Sequence, residues 1–105
     1  MPRLIFRELI WNAHDYEWSE EGHAVSIANF DFESHGLMHR GLSARILQPE
    51  GEPDAPPRIF GPSNYDGEID LEAFRLAAAD YYLKAARAGL RGDHAVWAKE
   101  VEYLI

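Results

Sequence analysis

The closing stretch HAVWAKEVEYLI (His94–Ile105) decides which fold this sequence describes. At helical spacing, Trp97, Val101 and Leu104 fall on one stripe and Asp93 stands ready as an N-cap, so the pattern predicts a second, short helix. At period two, VEYLI ends as a strand instead. The helix is the primary expectation and the strand its rival.

Upstream lies the clearest element of the chain. In LEAFRLAAADYYLKAARA, Leu71, Phe74, Ala78, Tyr81, Ala85 and Ala88 recur at spacings of three and four, which marks a helix with one buried face. Asp70 is placed to cap it, Ile69 and Phe74 stand as a hydrophobic staple, and Gly89 suits the left-handed position that ends it. Before this helix, Pro49–Gly67 holds five of the six prolines and three of the glycines. Missing backbone donors and added chain entropy make regular structure costly there, so residues 49–67 read as a proline-rich loop, with Arg58 to Phe60 a candidate for pinning to a sheet edge.

The first half reads as strands. RLIFRELIW places Leu4, Phe6 and Ile10 on one side and Ile5, Leu9 and Trp11 on the other. HDYEW followed by SEEG predicts a hairpin turn near Gly22. The returning run HAVSIANFDFE puts Ala24, Ser26, Ala28, Phe30 and Phe32 on one face and Val25, Ile27, Asn29 and Asp31 on the other. GLSARILQP adds a strand with Leu42, Ala44 and Ile46 on one side, stopped by Pro49. The expected fold is a single α+β domain spanning 1–105: an antiparallel sheet of three to four strands with a long and a short C-terminal helix packed on one face.

Composition narrows the chemistry. The chain has no cysteine, which removes disulfides, thiolate metal sites and cysteine nucleophiles. No stretch approaches the roughly 20 apolar residues of a membrane span, and the N-terminus carries no leader pattern, so no membrane contact and a cytoplasmic location are expected. The net charge is -8, and between Glu8 and His39 there is no lysine or arginine while seven acids occur. A nucleic-acid binder needs a basic stripe, so direct DNA or RNA binding is disfavoured.

Four of the five histidines fall within residues 14–39, and ESHGLMH (Glu33–His39) sets His35 and His39 four apart with Glu33 upstream. On a helix two such histidines stand roughly 6 Å apart and can share a zinc ion. On a strand they lie about 13 Å apart and cannot. Gly36 and Gly41 favour a loop between strands, which leaves Glu33, His35 and His39 as the metal candidates, with His14 and His23 as possible additions. Asp66, Glu68, Asp70 and Glu72 alternate like a calcium loop but lack its glycine and final glutamate, and capping by Asp70 explains the run more simply. GxSxG and phosphate-loop motifs do not occur. Trp11, Trp18, Tyr65, Tyr81, Tyr82 and Trp97 are more aromatic surface than a small core hides, and rim the core or anchor an interface.

The leading expectation for function is a non-catalytic, acidic protein-binding module for a partner with a basic surface. By analogy of size and charge alone, it is a possible inhibitor of nucleic-acid-handling machinery of the immunity or phage anti-defence kind. Asp15, Glu17, Trp18, Glu20 and Glu21 are its candidate contact residues and no cofactor is implied. The alternatives are a small histidine- or zinc-dependent enzyme built on the His14–His39 segment, and a self-associating scaffold or small-ligand sensor, with a homodimer as its signature.

Overall fold

The computed structural model describes residues 1–13, 23–49, 55–89 and 92–105. In chain order these form β1 (Arg3–Ile10), β2 (His23–Ser34), β3 (Leu37–Pro49), β4 (Arg58–Phe60), α1 (Leu71–Arg87), β5 (Val96–Trp97) and β6 (Val101–Leu104). All pairings are antiparallel. The four leading strands form a meander in spatial order β4-β3-β2-β1, and β5 and β6 both pair with the free edge of β1. Among the described residues, one sheet of six strands therefore carries one helix across one face.

This corrects the expected three to four strands with two helices. The predicted second helix does not form: Val101 pairs with Phe6 and Tyr103 with Leu4, while Trp97 pairs with Leu9. A helix this short is marginal by itself, whereas the open edge of β1 supplies ladder partners at once. Val and aromatic side chains also suit a half-buried pleat. Asp93 does not cap; its Oδ1 accepts a hydrogen bond from Asn12 Nδ2 at 3.1 Å.

Two bulges adjust the strict alternation read from the sequence. Phe6 pairs with Phe30 and Glu8 with Asn29, so Arg7 is an extra residue on β1. Period two alone carries Glu8 into the core after Leu4 and Phe6; the bulge turns Glu8 outward and brings Leu9, not Ile10, inward. On β3, Arg40 and Gly41 together oppose Asp31, and Gly41 takes a φ of +72°, a conformation that favours glycine. The alternation expected for Ala28, Phe30 and Phe32 of β2 and for Leu42, Ala44 and Ile46 of β3 is observed.

The core lies between the sheet and α1. Leu4, Phe6, Leu9, Ala28, Phe30, Phe32, Leu42, Ala44 and Ile46 face Phe74, Ala77, Ala78, Tyr81, Tyr82 and Ala85. The alanines let the helix approach closely. Asp70 caps α1 as expected, accepting from Ala73 N–H at 3.1 Å. Leu71, assigned to the buried stripe by spacing, is 44% exposed, because the first turn overhangs the end of the sheet. Trp11, Tyr65, Trp97 and Tyr103 are partly buried at the core rim, where Trp11 stacks on Tyr82 and Trp97 packs on Tyr81.

Candidate binding cleft

At the end of the sheet nearest the N-terminus of α1, a cleft of about 800 Å³ opens between the β2–β3 hairpin and the segment 61–71. One wall comes from the hairpin. Ser34 pairs with Leu37, so His35 and Gly36 are the two turn residues, with φ of +53° and +76°. Positive φ at both central positions matches the twist of the flanking strands. Phe32 forms the floor and His35 the rim.

The opposite wall is held by polar bonds to β3. Asn64 Oδ1 accepts from Ser43 N–H at 3.1 Å, Asn64 Nδ2 donates to the Gly41 carbonyl at 3.0 Å, and Ser63 N–H donates to the Ser43 carbonyl at 2.9 Å. Tyr65 is thereby laid against His39 and Phe32, with ring centroids 4.9 and 5.6 Å away. Asp66, Glu68 and Asp70 follow along the lip, and among the described residues no lysine or arginine lines the cleft. Asp70 is committed to the helix cap. Asp66 and Glu68 are exposed and belong to the alternating run that resembles a calcium loop, although the fold uses that run as a cleft lip.

The three metal candidates are placed apart. Glu33 and His39 lie on opposite faces of the sheet, since His39 pairs with core-facing Phe32 while Glu33 pairs with Arg3 on the open face. Glu33 takes two hydrogen bonds from Arg3, at 3.1 and 3.0 Å. His35 stands exposed in the turn. Among the described residues no group of three or more His, Asp or Glu side chains gathers closely enough to hold a metal ion. His14 and the contact candidates Asp15, Glu17, Trp18, Glu20 and Glu21 lie outside the described residues, as does the expected hairpin turn near Gly22. Among the described residues no helix is long and apolar enough to cross a membrane.

The open face of the sheet bears an ion ladder that the sequence reading missed. Arg3 bridges Glu33 and Glu102, and Arg7 bridges Asp31 and Glu100. Asp31 is 3% exposed. It accepts from Arg7 Nε at 2.6 Å and from Gly41 N–H at 3.1 Å, with Arg40 Nη1 3.7 Å away. The available signal was two arginines of β1, Arg3 and Arg7, and two acids of β2, Glu33 and Asp31, which meet in pairs once the antiparallel register and the extra residue at Arg7 are known.

At the far side of the core, Tyr81 donates to the Lys99 carbonyl at 2.8 Å and Tyr103 donates to Asp80 Oδ2 at 2.7 Å. Burial pushes the Tyr81 hydroxyl up to about 12. Burial, helped by the bond to Asp80, also raises Tyr103. The Lys84 ammonium, then the Tyr103 hydroxyl, holds the Asp80 carboxyl below its ordinary range, and Arg3 does the same for Glu33. A raised tyrosine contributes stability that is present below about pH 10 and is lost as pH rises through its folded value. A lowered carboxylate contributes stability present above about pH 4 and lost as pH falls through its folded value. Melting temperature is therefore expected to hold a plateau between these limits and to fall at both ends. Tyr103→Phe should remove part of the alkaline loss, read by melting curves and by phenolate absorbance. An alkaline limb identical in Tyr103→Phe would count against the Tyr103–Asp80 bond.

Compared with protein-family models, with curated proteins and with solved structures, the chain matches none significantly.

Proposed function

We propose that the protein is a non-catalytic module that binds a protein partner through that partner's basic surface. The observation that supports this reading is the cleft: a concave, partly aromatic surface lipped by Asp66 and Glu68, lined by no lysine or arginine among the described residues, on a chain of net charge -8. A lysine or arginine of the partner entering it meets carboxylates at the lip and the half-buried ring of Tyr65 below. A guanidinium or ammonium with its alkyl stem complements such a surface. Asp15, Glu17, Trp18, Glu20 and Glu21, outside the described residues, stand as a second candidate contact read from the sequence. The partner class that fits is a protein whose own working surface is basic, as in machinery that handles nucleic acids, which the module would inhibit by covering that surface.

Acidic complementarity acts chiefly on the rate of encounter. With the partner isolated from source cells on the native chain and identified, Asp66→Asn with Glu68→Gln should slow association at low salt by about tenfold, and the loss should shrink as salt rises. Neutralising Asp15, Glu17, Glu20 and Glu21 to serine should compound it. Association rates unchanged in both sets of variants, measured by surface plasmon resonance, would sink the electrostatic reading.

A further inference from the structure

The outward face of α1 carries an apolar seam whose two leucines lie outside the core. Leu76, Ala79, Leu83 and Ala86 follow one another at spacings of three, four and three, the repeat that places residues on one helical stripe. Leu76 is 69% and Leu83 40% exposed, and both alanines are partly exposed. The core-facing residues Phe74, Ala77, Ala78, Tyr81 and Ala85 occupy the other side of the same helix. Leu76 stands as a ridge between two furrows. One, of about 580 Å³, runs along Ile59, Glu72 and Arg75; the other, of about 370 Å³, runs along Ala73, Ala77, Tyr103 and Leu104.

We infer that this seam is the contact of a symmetric homodimer in which α1 packs antiparallel against α1 of a second copy. Two features select a second copy as the occupant. The seam alternates large and small residues, so reversing one copy sets each leucine of one helix against an alanine of the other, a self-complementary fit that a two-fold axis requires. The helix is also polarised. Its entrance carries Asp70 and Glu72 and its last turn Lys84 and Arg87. An antiparallel neighbour therefore brings the acidic end of one copy to the basic end of the other, and opposes the two helix dipoles. The furrows beside Leu76 receive side chains flanking the partner's seam, as ridges pack into grooves. This contact is separate from the acidic cleft: neither Leu76 nor Leu83 lines it.

Sedimentation equilibrium on the full chain tests the inference. The native protein should be dimeric at the upper end of a series reaching about 1 mM, a weak but measurable association. Leu76→Glu with Leu83→Glu should be monomeric throughout, with an unchanged far-ultraviolet circular dichroism spectrum because neither side chain is in the core. Arg87→Glu should weaken the dimer about tenfold and Glu72→Arg in the same chain should restore it, as a swapped ion pair does. A native chain that stays monomeric throughout, a dimer that survives the double leucine replacement, or failure of Glu72→Arg to restore association would each overturn the antiparallel contact. Loss of the dimer with retained cleft-dependent binding would separate this inference from the proposed function.

Discussion

Phe6→Ala is expected to cost about 3–5 kcal/mol, the range for removing a large buried aromatic. Small domains hold only about 5–15 kcal/mol in total, so the variant should lose a large share of its stability and unfold at a much lower urea concentration than the native chain. Phe6 is fully buried at the meeting point of sheet and helix. Its ring lies 4.9 Å from Tyr81, 5.3 Å from Phe30, 5.7 Å from Tyr103 and 6.4 Å from Phe74, centroid to centroid. These neighbours come from β2, α1 and β6, so the cavity opens where three separately formed elements join and cannot close by the shift of one of them. Urea unfolding followed by tryptophan fluorescence checks this. A loss below about 1 kcal/mol would mean that the ring stack is not the packing centre. Leu76→Ala, on the exposed seam, should change monomer stability by no more than about 0.5 kcal/mol.

Asp31→Ala should be the most damaging change in the ion ladder, at about 2–3 kcal/mol. Its carboxylate is nearly inaccessible and takes charge-assisted bonds of the kind worth about 1.5–3 kcal/mol. It also satisfies the N–H of Gly41, the residue at the β3 bulge. Removing it strips the bulge of its side-chain acceptor and leaves Arg7 only Glu100, an exposed partner. Arg7 is half exposed and can turn to water, which keeps the expected loss below that of a fully buried broken pair. Asp31→Asn retains an acceptor for Gly41 and should lose roughly half as much. Glu33→Ala, which breaks the exposed pair with Arg3, should have only a small effect. Equal losses for Asp31→Ala and Glu33→Ala in chemical denaturation would show that the ladder acts as surface charge alone.

The candidate site was partly legible. Asp66, Glu68 and Asp70 stand out in the sequence by their alternation, and the capping role of Asp70 follows from its place before an apolar helix. Their cleft was not legible, because its floor is Phe32 from a distant strand and its far wall is held by Asn64 bonding across to Ser43 and Gly41. The histidine run is the converse case. Glu33, His35 and His39 are close along the chain, but a two-residue turn and the alternation of the pleat send Glu33 and His39 to opposite faces.

The sequence by itself determined what depends on near neighbours along the chain: the alternation of β2, the capped and alanine-rich α1, the acidic charge and the exclusion of cysteine chemistry. Periodicity and capping are set by a few consecutive residues. Only the tertiary structure decided the fate of His94–Ile105, the inward turn of Leu9 in place of Ile10, and the burial of Asp31. Each depends on what lies across the sheet: a free β1 edge that offers backbone partners to a segment too short to stand as a helix, an extra residue at Arg7 that reverses the facing of the strand beyond it, and an antiparallel register that brings Arg7 and Gly41 to one carboxylate.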